Sequence, residues 1–155
     1  MKFEEEIKVL RATRENTISV IKELSLEQIN TIPEGFTGNI AWHLGHMVQT
    51  HRGLVYQLNS QKSGLEKEFI NKYRKDSKPE SPIDQSEFEF TTEQLLNQVE
   101  ELEADLQKDD FFGENIPYST SYNYDLNSLE ECINFSNVHQ GLHLGYIMAL
   151  KRIVK

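Results

Sequence analysis

The chain has 155 residues, which suits one domain (1–155) with a proper hydrophobic core. Its 25 acidic and 16 basic residues give a formal net charge of −9, which argues against nucleic-acid binding because that needs a basic face. No apolar run approaches the roughly 20 residues that span a bilayer, and the acidic N-terminus is unlike a signal peptide. With a single cysteine, Cys132, we expect a cytoplasmic protein that binds neither nucleic acid nor membrane.

The first half of the chain has the hydrophobic pattern of helices. Apolar residues at three- and four-residue steps predict a first helix over about 3–24. Ser25, which is followed by Glu27 and Gln28, is expected to cap a short helical turn. A second long helix is predicted over about 39–59, with Asn39 as its N-cap.

The middle of the chain is the least regular part. Residues 60–90 contain prolines and many charges, which indicates a long crossing connection with one short helix near 66–74. Thr91 or Thr92 is expected to cap a third long helix. The apolar stripe of this helix is predicted to consist of Leu95, Val99, Leu102 and Leu106.

The last part of the chain begins with a loop over about 109–125. Asn127, followed by Glu130, has the form of a capping box for a fourth helix over about 128–154. No segment alternates strictly as a strand does, so we expect almost no β structure. Four long helices with one long crossover connection predict an all-α four-helix bundle.

Two histidines on the fourth helix lie in its apolar stripe. His139 and His143 are four residues apart, so their side chains lie one above the other and can bind one cation. The alternative is that both are core residues, because spacing alone is a weak signal. The rest of this stripe comprises Cys132, Phe135, Ser136, Leu142, Tyr146, Ile147 and Leu150.

The residues around this pair narrow the possible chemistry. No glutamate follows His139, so this is not the metalloprotease helix that carries its own general base. Gly141 and Gly145 lower helix propensity, and they indicate either close helix packing or space for a ligand. Cys132 is expected to be a small buried residue and Tyr146 a core residue with a polar tip.

The second helix supplies three further histidines. Periodicity places His51 on the main apolar stripe and predicts a buried core histidine. His43 and His46 share another side of the helix with Trp42. Amphipathicity alone does not choose a third metal ligand among them.

Two motifs resemble the DinB-like superfamily: NIAWHLGHM at 39–47 and, after Asn134-Phe135, HQGLHLGYI at 139–147. The similarity extends over nearly the whole chain in helix order. The resemblance implies a four-helix bundle in which three histidines hold a divalent metal. Imidazole suits zinc, nickel, iron and copper alike, and of these we expect zinc or nickel. On this sequence those histidines are His46, His139 and His143. His43 departs from the family pattern, and it either supports the ligands or competes with them.

The resemblance also limits the function. It implies a metal-dependent thiol transferase or a hydrolase with a small-molecule substrate, for which a low-molecular-weight thiol is one choice. It also implies a homodimer. A non-catalytic metal-binding or protein-interaction bundle is the alternative, and a purely structural bundle is a third. No general base is evident on the histidine stripe, so no catalytic residue is assigned.

Aromatic residues in the loop before the fourth helix allow two interpretations. They either close over the histidine site or plug the end of the bundle, and the plug is the favoured hypothesis. These residues are Phe111, Phe112, Tyr118, Tyr122 and Tyr124.

Overall fold

The computed structural model describes residues 2–155, which are mostly helical. The elements in chain order are α1 (Glu4–Ile21), α2 (Leu26–Asn30), α3 (Ile40–His51), α4 (Lys67–Tyr73), α5 (Gln85–Asp105), β1 (Tyr118–Ser119), β2 (Asp125–Leu126) and α6 (Leu129–Val154). A π-helical turn (Arg52–Tyr56) and a 3-10 turn (Gln57–Asn59) continue α3. The two short strands pair antiparallel. The all-α prediction is therefore confirmed, and no helix in 2–155 is long and apolar enough to cross a membrane.

Helices α1, α3, α5 and α6 form a four-helix bundle in which α1 and α3 each pack against both α5 and α6. Contacts along the helices give their directions. Gln98 on α5 donates to the carbonyl of Val48, and Tyr56 donates to Asp105, so α3 with its continuation runs parallel to α5. Two successive parallel helices need a connection that returns along the bundle. Residues 60–84, which include α4, provide the predicted crossover.

Two predicted N-caps are confirmed: Asn39 at the second long helix, and Ser25 at the short helical turn that follows the first helix. Asn39 Oδ1 accepts a hydrogen bond from the amide of Trp42 at 2.8 Å, which caps α3. Ser25 and Gln28 form a reciprocal capping box at α2. The first helix ends at Ile21, slightly before the predicted boundary.

The predicted start of the third helix is wrong. Helix α5 begins at Gln85, and the side chain of Asp84 caps it. Thr91 and Thr92 lie within the helix, where their hydroxyls donate to carbonyls four residues earlier. The first two turns are mostly polar, so hydrophobic periodicity did not reveal them.

The cap of the fourth helix lies one residue later than predicted. Ser128, not Asn127, caps α6 and accepts a hydrogen bond from the amide of Glu131. The amide of Asn127 instead donates to the Glu131 carboxylate at 2.6 Å. The reciprocal capping box predicted from Asn127 and Glu130 is therefore absent, because the carboxylate of Glu131 accepts from the residue before the cap rather than from the cap itself.

A polar layer separates the two larger apolar clusters of the bundle interior, and a third, smaller cluster contains Leu54, Leu126 and Cys132. One of the two larger clusters contains Ile40, Leu44, Met47, Leu95 and Ile147, and the other contains Ile7, Leu10, Val55, Val99, Leu102 and Ile133. The layer between them consists of Arg14, Gln98 and Gln140, all fully buried. Three of the four residues in the predicted stripe of the third helix are buried, and Leu106 is partly buried.

Candidate metal centre

The antiparallel packing of α3 against α6 brings three histidines together. His139 Nε2 lies 3.2 Å from His46 Nε2 and 3.1 Å from His143 Nε2. One ligand atom from each of the three side chains can be chosen so that all lie within 4.8 Å of one another. The three histidines named from the family resemblance are therefore one cluster, which is compatible with metal binding.

The separations of the nitrogens suit a shared ion. Zinc binds imidazole nitrogen at about 2.0–2.1 Å, so two such ligands at angles between 90° and tetrahedral are about 2.8–3.4 Å apart. Both short contacts at His139 lie within this range. His46 and His143 are buried, with 5% and 8% of their surfaces exposed, so solvent competes little for their nitrogens.

The hydrogen bond of His46 fixes which nitrogen faces the cluster. Its Nδ1 lies 2.7 Å from the carbonyl oxygen of Tyr73, at the end of α4. A carbonyl can only accept, so Nδ1 carries the proton and the Nε2 lone pair points at His139. Metal-binding histidines are commonly oriented in this way by a backbone carbonyl.

His43 lies behind His143 rather than within the cluster. The Nδ1 atoms of the two residues are 2.8 Å apart, so one of them donates a proton to the other. When His143 presents its Nε2 lone pair to an ion, its Nδ1–H donates to His43. Of the two roles that the sequence left open for His43, this position suits the supporting one.

His139 is the centre of the cluster. Its Nε2 is in contact with both other histidines, and its buried Nδ1 has no hydrogen-bond partner among residues 2–155. One proton on Nε2 can serve only one of the two neighbouring nitrogens. A bound cation would instead engage all three lone pairs, so the donor set fits a metal ion.

The electrostatics keep these side chains neutral at pH 7. Burial lowers the pKa of both His139 and His143, and neighbouring histidines act in the same direction to a smaller extent. Together they hold the pKa of His139 at about 3 and that of His143 at about 2. Burial also lowers the pKa of His46, although the hydrogen bond to Tyr73 opposes this shift. The neutral imidazole is the form that binds metals.

A close approach of α4 to α3 holds the Tyr73 carbonyl at His46. A Cβ atom on Gly45 would lie 2.3 Å from the Tyr73 ring, so only glycine permits this packing. The ring of Trp42 stacks on His46 from the other side, with centroids 4.5 Å apart. Sequence reasoning missed Tyr73 because its backbone carbonyl is the functional group. Gly45, next to His46, was the available signal.

The glycines of α6 do not have this function. A Cβ on Gly141 or Gly145 would meet nothing within 4 Å. Neither glycine therefore permits a close contact between helices of residues 2–155. Of the two alternatives that the sequence left open for these glycines, close helix packing is therefore excluded within residues 2–155. Open space remains beside this face of α6.

Three further residues that the sequence singled out on α3 and α6 lie outside the histidine cluster. His51 is fully buried, and Cys132 is buried with its thiol pKa raised by burial, so both are the core residues predicted. The expectation for Tyr146 is wrong, because 46% of its surface is exposed. It lies on the outer side of α6 and stacks on His43 at 4.7 Å.

The cluster borders an open cavity of about 640 Å³, called here the polar cleft. Arg74 and Lys75 are the only charged residues in its lining, which contains no acidic side chain. Besides the three histidines, the remaining lining residues are Gln49, Thr50, Gly53, Leu54, Gln57, Leu58, Ile116, Tyr118, Thr120, Ser121, Tyr122, Phe135 and Leu142.

The aromatic loop residues divide between the two predicted roles. Phe111 and Phe112 pack on Tyr56 and plug one end of the bundle, as favoured. Tyr118 and Tyr122 instead line the polar cleft beside the histidines.

Comparisons with known proteins identify the family. A solved structure described as a conserved protein of Enterococcus faecalis superimposes with a TM-score of 0.68, covering 99% of this chain and 97% of that chain. Its sequence identity is 14%, so this similarity concerns the fold alone. Among curated proteins, none matches the sequence. Residues 10–147 match the DinB superfamily, and the chain therefore belongs to that superfamily.

Proposed function

We propose that this protein is a metal-dependent enzyme acting on a small molecule, with His46, His139 and His143 as ligands of zinc or nickel. The observation that carries the proposal is the convergence of three neutral imidazoles beside an open cleft. A structural bundle would gain nothing from lone pairs that face one another. A cleft of about 640 Å³ is large enough for an organic reactant.

Three protein ligands leave coordination positions open, and a bound divalent metal would lower the pKa of a thiol or a water there. The surrounding residues orient the reactant. Thr50 Oγ1 lies 3.3 Å from His46 Nε2, next to the position where a reactant would reach the cluster. The Gln49 and Gln57 amides line the same cleft and offer hydrogen bonds to a polar reactant.

Thiol transfer is the reaction class that we favour, following the family resemblance. The sulfur of a low-molecular-weight thiol would form a bond to an electrophilic carbon of the second reactant. The bond from that carbon to its leaving group breaks, and the leaving group departs with the electron pair. The thiol proton passes to solvent. Hydrolysis at the same centre is the alternative, with water in place of the thiol.

Turnover with a metal and without it tests the proposal. Chelator-treated protein is incubated with a set of cytosolic thiols and electrophiles, and zinc or nickel is then restored. We expect activity only after metal addition, its loss in His139→Ala, and its retention in His51→Gln. A folded, metal-loaded protein without turnover would favour the non-catalytic metal-binding alternative.

Homodimer formation in the cytoplasm completes the proposal. Val138, Leu142 and Met148 are about half exposed on α6, and Gly141 and Gly145 leave open space between them. A second copy of the chain would cover this face. Gel filtration at two concentrations should give the dimer mass, and Gly145→Arg should shift it to the monomer. A monomer at every concentration would contradict this part.

A further inference from the structure

A second cavity of about 400 Å³, called here the aromatic cavity, lies beside His43 and His143. Leu142 and His143 line both cavities and form the wall between them. The remaining residues around the aromatic cavity are Gly35, Phe36, Thr37, Gly38, Trp42, His43, Ser77 and Tyr146. One ligand of the candidate metal centre, His143, therefore borders both cavities.

The two cavities differ in chemistry. Arg74 and Lys75 line the polar cleft, whereas no Asp, Glu, Lys or Arg lines the aromatic cavity. Ser77 Oγ already accepts a hydrogen bond from Trp42 Nε1 at 2.9 Å, so it has less capacity left for a ligand. The aromatic cavity offers no charged partner to an occupant, and it consequently favours a neutral one.

The aromatic side chains of this cavity are already arranged around it. Phe36 meets Tyr146 edge to face, with ring centroids 6.4 Å apart, and Tyr146 stacks on His43 at 4.7 Å. Ring faces and edges held in this way recognise another ring by stacking or edge contacts. The volume is within the range of small-molecule sites and would hold one ring with its substituents.

His43 offers this cavity one polar contact. When its Nδ1 accepts the proton of His143, its Nε2 carries a hydrogen. No hydrogen-bond partner of this Nε2 is present in residues 2–155. A ring that carries an acceptor substituent can therefore bind between the aromatic residues and His43.

We propose that the aromatic cavity is a second binding subsite, which takes a neutral aromatic group of one reactant. The assignment of that group to a reactant rests on the proposed function, whereas binding itself needs no metal. Hydrolysis would require no organic subsite for its second reactant. A second organic subsite would give the other reactant of a joining reaction its own place to bind.

Fluorescence of Trp42 tests the subsite directly, because this is the only tryptophan of the chain and it lines the cavity. The probe is 4-nitrobenzyl alcohol, a neutral ring that quenches tryptophan. We expect saturable quenching with an affinity that becomes about fivefold weaker in Tyr146→Ala, since an aromatic pair contributes on the order of 1 kcal/mol. Phe36→Ala should have the same effect.

Tyr122→Ala is the matched control, because Tyr122 is a half-exposed tyrosine that lines the polar cleft instead. This variant should bind the probe as the original protein does. Quenching that does not saturate, equal affinity in Tyr146→Ala, or a loss in Tyr122→Ala would overturn the subsite. Tyr146→Phe, which keeps the ring, should retain affinity and exclude a general folding defect.

The titration is run on chelated and on zinc-loaded protein, and metal content is measured separately. Probe binding in a protein that holds no metal would leave the subsite standing and remove the proposed function. A metal-loaded protein that does not bind the probe would remove the subsite and leave the proposed function standing.

Discussion

Two groups of polar side chains lie at the same level of the bundle and differ in how their hydrogen bonds are satisfied. The inward group surrounds Arg14, which is fully buried without a carboxylate partner. Its guanidinium donates to the Leu95 carbonyl at 2.9 Å and to the side-chain oxygens of Gln98 and Gln140 at 3.0 and 3.2 Å. Every side-chain nitrogen and oxygen of Arg14, Gln98 and Gln140 has a hydrogen-bond partner, so this layer needs no ligand.

The outward group is the histidine cluster, formed by neighbours of the same residues along α3 and α6. His46 precedes Met47, whose carbonyl accepts from the inward layer, and His139 precedes Gln140. Here the nitrogen lone pairs converge and an open cleft lies beside them. Burial of polar side chains is therefore not enough to identify a ligand-binding site. Lone pairs without donors that face a cavity are the feature that identifies one.

The largest effect is expected from removing the inward cation. Arg14→Ala should lower the free energy of unfolding by about 3–5 kcal/mol, because several buried acceptors lose their donor. Chemical denaturation measures it. Arg11→Ala is the control on the same helix, since Arg11 makes partly exposed ion pairs with Glu100 and Glu103 and should cost less than about 1 kcal/mol. A similarly small loss of stability in both variants would contradict the view that Arg14 satisfies the buried acceptors of the inward group.

Metal addition should stabilise only a protein with an intact outward group. Zinc at a hundred times its dissociation constant should add about 2.7 kcal/mol to the stability of the original protein, seen as a higher Tm. His139→Ala should lose this gain because it removes the central ligand. An equal gain in both proteins would place the metal elsewhere.

The support of the outward group can be tested at one glycine. Gly45→Ala should cost about 1–3 kcal/mol, because its Cβ would overlap the Tyr73 ring and displace the carbonyl from His46. Gly141→Ala is the matched control, since its Cβ would enter open space and should stabilise the helix by up to about 1 kcal/mol. Urea unfolding compares the two. Equal effects would show that the α4 contact is unimportant.

Acidification should weaken the metal-free protein. Burial holds the pKa of His139 at about 3 and that of His51 well below its usual value, so both stay neutral in the folded state. The unfolded chain takes up protons below about pH 6.5, and stability therefore falls as pH falls through this value. Each such histidine should cost about 1 kcal/mol at pH 5.5 relative to pH 7.5.

Denaturation of chelated protein at these two pH values gives the total loss of unfolding free energy. The same measurement on His51→Gln gives the part of that loss that is due to His51. Stability that does not change over this range would mean that the histidines are accessible to protons in the folded state.

Periodicity predicted most of the fold, because apolar stripes determine which helix faces are buried. It also predicted His51 as a core residue. It did not distinguish His46 from His43, because both lie on a side of α3 that is covered by aromatic rings and by α4 rather than by the bundle core. The assignment of His46 came only from the family resemblance.

The remaining errors have local causes. Helix α5 begins two turns before its apolar stripe, so the threonines next to that stripe were mistaken for its cap. Tyr146 falls on the histidine stripe by angle, yet 46% of its surface stays exposed because His43 of α3 covers only one face of its ring. Tertiary contacts such as the Tyr73 carbonyl on His46 leave no pattern in the sequence beyond the glycine that permits them.

Metal content of untagged protein by mass spectrometry tests the central claim most directly. The comparison includes His143→Ala and, as a control with another buried histidine replaced, His51→Gln. We predict near-stoichiometric zinc or nickel in the original protein and in His51→Gln, and almost none in His143→Ala. Equal metal in all three proteins, or no metal in any of them even after zinc or nickel is added, would contradict the three-histidine centre.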